Sequence, residues 1–261
     1  MSSLEGRRAL VCGSTQGIGR ASADALAAAG AEVVLLARNA DQLRSVRAAL
    51  PAGTGVTHDF LVADFTEPEM VREAVTAYLA SHPPIHILIN NTGGPAPGPA
   101  FEASLDALRA AFAMHLLCNH VLVQALLPGM RAAGYGRIIN IVSTSVREPI
   151  KGLGVSNTVR AATAGWAKTL SKELSPFGIT VNNILPGSTR TGRLATLLAG
   201  RAKTADTSID AIEASMTGEI PIGRFAEPEE IAAAVAFLAS PAASYINGVS
   251  LPVDGGRMAS I

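Results

Sequence analysis

The stretch from Arg8 to Gly30, RALVCGSTQGIGRASADALAAAG, limits what this chain can become more than any other segment. Ala9-Leu10-Val11-Cys12 is a short, uninterrupted apolar run, the pattern of a parallel strand covered on both faces. Gly13, Gly17 and Gly19 follow, and glycine lets a backbone take positive φ and approach a bulky group closely. The alanine-rich segment after them is a strong helix former, and Glu32 to Ala37 is a second apolar run. Strand, glycine turn, helix and strand make a βαβ unit, which commits the chain to a parallel sheet.

A helix that opens on such a turn presents free amide groups and the positive end of its dipole. That arrangement suits a pyrophosphate, so the turn reads as a dinucleotide site. Glycines also serve plain turns and helix caps, and the flanking strands and helix favour the cofactor reading.

The same alternation continues. A polar helix spans residues 40–50, and Phe60 to Ala63 is strand three, closed by Asp64. A helix at 67–81 ends at His82-Pro83-Pro84, and strand four, Ile85 to Ile89, runs into Asn90-Asn91-Thr92-Gly93-Gly94. Helical stretches at 101–110 and 111–132 precede strand five at 136–142. A loop at 143–154 carries Arg147, Glu148 and Lys151 and opens a long helix, Val155 to Leu174. Strand six is Ile179 to Leu185; an irregular, partly helical excursion lasts to about Gly223; a helix covers 227–240; and Val249 to Val253 is strand seven.

The expected architecture is a doubly wound, seven-stranded parallel sheet in a three-layer αβα, Rossmann-type α/β fold. We expect a single dinucleotide-binding domain over 1–261, with 188–218 as a lid or substrate-loop excursion. Lys plus Arg and Asp plus Glu balance at 21 each, so no net field recruits nucleic acid or an anionic membrane. Cys12 and Cys118 lack metal-like or disulfide-like spacing and read as buried hydrophobes in a reducing compartment. The N-terminus lacks a secretory h-region, and the most apolar later stretch, Ile231 to Ala239, falls short of the ~20 residues a span requires. A cytoplasmic protein is expected.

Four motifs in order resemble the short-chain dehydrogenase/reductase family over nearly the whole chain. Cys12-Gly13-Ser14-Thr15-Gln16-Gly17-Ile18-Gly19 is similar to its cofactor loop, with Cys12 where a threonine is usual. Asn90-Asn91-Thr92-Gly93 is similar to Asn-Asn-Ala-Gly, Pro186-Gly187 with Thr191 to the segment that meets the nicotinamide, and Val253-Asp254-Gly255-Gly256 to the C-terminal strand end. Within the family the chain looks most like 3-oxoacyl-ACP reductases. The resemblance implies a small-molecule carbonyl or alcohol substrate and a homodimer or homotetramer.

The resemblance also implies a serine after strand five, a tyrosine thirteen residues on and a lysine four beyond that. Ser143 fits the serine, but Ser156 stands at the tyrosine position and Arg160 at the lysine position, with the flanking register intact. His115 stands where the family's asparagine completes the set. None of Tyr78, Tyr135 and Tyr245 has a lysine four residues on.

A serine hydroxyl is a far weaker acid than a phenol with a reference pKa of about 10. Arg160 keeps the lysine's charge but stays protonated, so it suits cofactor positioning better than proton relay. The proton could come from His115, whose imidazole titrates near neutrality, or His115 could merely fill the asparagine's place. Ser143 and Ser156 could hold a carbonyl oxygen as paired donors, or be ordinary loop and cap hydroxyls. Arg147 or Lys151 could bind an anionic substrate if their loop folds inward, against the simpler reading of a solvated loop.

Arg38 follows strand two, where NAD enzymes place an acid for the ribose hydroxyls. An arginine there suits the 2′-phosphate of NADP, with Ser14 and Thr15 adding hydroxyl contacts; the plain alternative is a solvent-facing side chain. Asp64 either approaches the adenine or caps the next turn. The reading is thus an NADP(H)-dependent carbonyl reductase with an atypical site, its rival a non-catalytic NADP(H)-binding sensor or scaffold.

Overall fold

The computed structural model describes residues 3–260. Strands β1 (Arg8–Cys12), β2 (Glu32–Ala37), β3 (Asp59–Val62), β4 (Ile87–Asn90), β5 (Gly136–Ile141), β6 (Ile179–Pro186) and β7 (Ser250–Val253) form one sheet in the order β3-β2-β1-β4-β5-β6-β7. Every neighbouring pair is parallel. This is the expected seven-stranded, doubly wound sheet.

Helices α1 (Gly17–Ala28), α2 (Ala40–Ala49) and α9 (Pro228–Ala239) lie on one face, and α3 (Pro68–Leu79), α5 (Cys118–Ala133) and α6 (Gly154–Leu174) on the other. The period of two along each strand divides the core between them. Ala9, Val11, Val33 and Leu35 point into the first layer, while Leu10, Cys12, Val34 and Leu36 point into the second. All eight are completely buried, which is why β1 and β2 read as unbroken apolar runs rather than alternating ones.

Several boundaries differ from expectation. β4 starts at Ile87, because Ile85 is still in the loop that follows Pro83-Pro84. Residues 101–110 form a short 3-10 turn, Ala100–Glu102, and then α4 (Leu105–Phe112), which starts where the Ser104 hydroxyl accepts from Ala107 N. The expected helix at 111–132 opens with a π-helical turn, Ala113–Leu117, before α5. The excursion after β6 is mostly helical: α7 (Gly192–Ala205) and α8 (Ile209–Gly218) share a small core of Leu194, Leu198, Ile220 and Phe225.

Ile231 to Ala239 is not the longest apolar stretch in the folded chain. The helical run Leu105–Ala133 is long and apolar enough to cross a bilayer by length and composition. It packs inward instead: Cys118, Leu122, Leu126 and Met130 are buried against β5 and α3.

An amide ladder crosses the sheet near the C-terminal strand ends. Asn90 Nδ2 donates to Asn140 Oδ1 (2.8 Å), Asn140 Nδ2 to Asn183 Oδ1 (2.9 Å), and Asn183 Nδ2 to Ser250 Oγ (3.1 Å). These four residues are direct register partners on β4, β5, β6 and β7.

Candidate active site

The strand order reverses between β1 and β4, and the chain leaves in opposite directions on either side. Such a switch point opens a crevice at the C-terminal strand ends. Here it is a cleft of about 510 Å³.

Its floor is the glycine turn. Gly13 and Gly17 have φ of +58° and +53°, which β-carbon-bearing residues rarely adopt. A β-carbon at Gly13 would lie 2.8 Å from Asn91 Nδ2, and one at Gly17 would lie 3.0 Å from Thr191 Cγ2. Asn91 ties the turn to the end of β4, its Nδ2 donating to Cys12 O (3.2 Å) and Gly13 O (3.3 Å). Gly19 does not face the cleft; a side chain there would collide with Gly13 O. Thr15, Gly17, Ile18, Asn91, Gly93, Pro186, Gly187 and Thr191 all line the cleft.

Ser14 does not offer its hydroxyl to this space. The side chain is fully buried and its Oγ accepts from Leu36 N (3.1 Å), joining the turn to β2. The expectation of a Ser14 hydroxyl contact is corrected: the side chain turns inward, away from the cleft, and its Oγ is engaged by the β2 backbone.

At the end built by β2 and β3, Arg38 and Asp64 form an ion pair at 3.7 Å, with the arginine side chain 74% exposed. Burial raises the Asp64 carboxyl, but hydrogen bonds with Thr66 and the Arg38 charge outweigh it and hold the group below the usual carboxylate range. Asn39 and Gln42, which sequence reasoning passed over, line the same end. Both belong to the start of α2, where Asn39 Oδ1 caps the helix by accepting from Gln42 N.

The middle of the cleft brings together Ser143, Ser156 and Arg160. Ser143, two residues past the end of β5, caps the turn that follows, its Oγ accepting from Ser145 N (3.1 Å). Ser156 and Arg160 lie one turn apart on α6, and Arg160 Nε donates to Ser156 Oγ (3.2 Å). Arg160 Nη1 also donates to the carbonyls of Ile141 (3.1 Å) and Val142 (2.6 Å), clamping the guanidinium against the end of β5. Burial, with a smaller contribution from Arg193, pushes Arg160 down to about 10, so it stays cationic at neutral pH.

His115 is behind this wall rather than in it. It sits in the π-helical turn, 5% exposed, and borders a separate small cavity with Asn119, Thr163 and the inner side of Arg160. Its Nε2 has no hydrogen-bond partner among the described residues. Burial first, then the charges of Arg160 and Arg193, push it down to about 3, so it is neutral over the physiological range.

The charged loop after β5 does not fold inward. Arg147 Nη2 donates to Ser250 O (2.9 Å), and Glu148 Oε1 accepts from Ala259 N and Ser260 N. Lys151 is exposed. The cations that do enter the far end are Arg193 and Arg201 of α7 and Arg257 after β7. The first sits two residues beyond Thr191, the one local signal by which it could have been found.

Cys12 and Cys118 are both free and fully buried. Burial pushes the Cys12 thiol far up and Cys118 up to about 12, so neither is a nucleophile at neutral pH.

Fold and cleft together define a Rossmann-type α/β protein with a ligand crevice at its strand ends. The family pattern described as Enoyl-(acyl carrier protein) reductase matches residues 13–257. The chain is 32% identical over 253 residues to a 3-oxoacyl-acyl-carrier-protein reductase of Aquifex aeolicus, covering 97% of this chain and 98% of that one. It is 34% identical to the trans-4-hydroxycyclohexanecarboxylate dehydrogenase of Sinomonas cyclohexanicum, covering 96% and 92%. The crystal structure of L-sorbose reductase from Gluconobacter frateurii, complexed with NADPH and L-sorbose, superposes with a TM-score of 0.93 at 32% identity, covering 100% and 99%. The chain belongs to the short-chain dehydrogenase/reductase family.

Proposed function

We propose that this protein is an NADP(H)-dependent oxidoreductase that interconverts a small carbonyl compound and its alcohol. In this reading Ser143, Ser156 and Arg160 stand where the family uses serine, tyrosine and lysine. The observation that carries it is that the glycine turn, Arg38 and the Ser156–Arg160 pair all open into one cleft.

The residues fit the cofactor. The turn is a cradle that β-carbons at Gly13 and Gly17 would fill, and α1 points its N-terminal amides into it. Arg38 is exposed and held only by Asp64, so its fork can receive a 2′-phosphate. Named relatives support the choice: the L-sorbose reductase is complexed with NADPH, and a Bacillus subtilis relative is an NADPH-dependent reductase.

NADPH supplies the hydride when bound. The chain's own part is to hold the carbonyl and stabilise the charge that grows on its oxygen. Because Ser156 Oγ accepts from Arg160 Nε, its own hydrogen is free to point into the cleft. Ser143 provides a second hydroxyl, and the buried guanidinium sets a positive potential behind both. This set polarises a carbonyl without a phenol, and the resulting alkoxide takes its proton from solvent. His115, neutral and outside the cleft wall, takes no part in the proton's path. The segment 188–218, folded as α7 and α8, serves as a lid over the substrate end. The 3-oxoacyl thioester of one relative and the sugar of another both contain the required carbonyl, so the assignment rests at the carbonyl class.

Calorimetric titration with NADPH and NADH tests the proposal. Stoichiometric binding with at least a tenfold preference for NADPH is expected; binding of neither, or a preference for NADH, refutes it.

A further inference from the structure

Five arginines and two acids line the cleft, and the acids are already used. Asp64 pairs with Arg38 at 3.7 Å and Glu219 with Arg257 at 3.2 Å. Arg160, Arg193 and Arg201 have no carboxylate within 4.0 Å among the described residues. Arg193 and Arg201 are eight residues apart on α7 with Leu197 between them, so one face of that helix presents two cations and an apolar side chain to the cleft.

Arg193 is placed by its surroundings. Its Nη2 donates to Pro95 O (3.2 Å), and its guanidinium carbon lies 2.5 Å from where a β-carbon on Gly94 would be. The absence of a side chain at Gly94 therefore makes room for it. Its charge also reaches Arg160 and His115, lowering both. Arg193 and Arg201 are exposed, but both reach into the cleft without a carboxylate partner, and cations of one sign lining a cleft attract an anion. The glycine turn and the α1 N-terminus already furnish donors for a diphosphate, and Arg38 lies on the other side of β1, at the C-terminal end of β2. α7 follows β6, four strand spacings or about 19 Å from β2.

We infer that the substrate of this site carries a carboxylate, read by Arg193 with Arg201 adding attraction along the same helix face. The inference rests on the cofactor reading above. A keto acid would place its carbonyl at Ser143 and Ser156 and its carboxylate toward α7, with Leu197 and Met216 contacting the carbon chain between.

The test uses the NADPH-saturated protein and three keto acids that differ in carbonyl-to-carboxylate distance: acetoacetate, levulinate and 4-oxocyclohexanecarboxylate. Each is titrated calorimetrically beside its methyl ester. At least one acid should bind tenfold more tightly than its ester. Arg193→Gln should remove that preference and leave NADPH affinity within twofold, and Gly94→Ala, which displaces the guanidinium, should weaken the acid in the same direction. Equal binding of acids and esters, or no binding of either, overturns the inference while leaving the cofactor reading intact. A tenfold loss of NADPH affinity in Arg193→Gln with acid binding unchanged also overturns it, because the arginine would then serve the cofactor's own phosphates. Failure of the wild-type protein to bind NADPH at all overturns the cofactor reading first and this inference with it.

Discussion

Replacing Arg38 with alanine should weaken NADPH binding and leave NADH binding within twofold of wild type. The magnitude follows from its setting. A charge-assisted, bidentate contact with a phosphate contributes about 1.5–3 kcal/mol where solvent is excluded. The Arg38 side chain is 74% exposed, so screening reduces that figure, and the contact must also displace Asp64 from its 3.7 Å pairing. The Asp64 pair is itself weakly held, since both groups face solvent. A net loss of about 1.4–2 kcal/mol, or roughly 10- to 30-fold in affinity, is the expectation. At 0.15 M salt the Debye length is about 8 Å, so the wild-type preference for NADPH should shrink as salt is raised, whereas the alanine variant should show little salt dependence. Fluorescence titration of both nucleotides at two salt concentrations reads all four quantities. A parallel loss for NADH, or an unchanged NADPH affinity, would refute the argument, because it would place Arg38 away from the 2′ position.

Three further outcomes follow from the structure. Ser156→Tyr combined with Arg160→Lys should raise NADPH-dependent carbonyl reduction at least tenfold over the parent, measured as NADPH consumption; no gain would mean the cleft cannot seat the family's pair. His115 takes up its proton only near pH 3 when folded but near 6.5 when unfolded, so the unfolded chain binds more protons between those values and stability is lost as pH falls through that window. About 2 kcal/mol should disappear between pH 7.5 and pH 5 in urea unfolding, and His115→Gln should flatten that slope. Asn140→Ala should cost about 3–5 kcal/mol in the same assay, since it strands an amide hydrogen on Asn90 and an acceptor on Asn183, each worth about 1–3 kcal/mol when buried and unpaired; a loss below 1 kcal/mol would show that the ladder is not a stabilising unit.

The sheet was legible because parallel strands buried on both faces leave apolar runs: β1 and β2 read directly from theirs, and β5 from its three isoleucines despite Arg137 and Asn140. β4 was placed early because Ile85 is as apolar as the strand it precedes, and only the pairing of Ile87 with Ala9 and Arg137 marks where the ladder starts. The helices after Gly192 were read only as a partly helical excursion because their inner faces cover each other and a small core of their own, not the sheet. Within the cleft, the glycine turn and Arg38 were readable from local order. Ser14 was not: a hydroxyl in a glycine turn reads as a ligand contact, and only the fold shows it facing inward with its Oγ on Leu36 N of β2. Arg193 was missed because its placement comes from Gly94 and Pro95, about a hundred residues away in sequence.

The amide ladder runs in one sense only: Asn90, Asn140 and Asn183 each give a hydrogen toward β7, and Asn140 and Asn183 each receive one from the β4 side. A chain of donors with a fixed direction behaves like the teeth of a key: no strand from β4 to β7 can slide by a residue without disengaging every tooth it carries. Asn91, Ser143 and Gly187 stand just beyond these teeth and inherit their alignment from them. The frame's indexing and the chemistry at its rim are therefore entrusted to different residues. A cleft wall built that way can be rewritten side chain by side chain, for a new substrate or a new proton path, while the strands that present it keep their places.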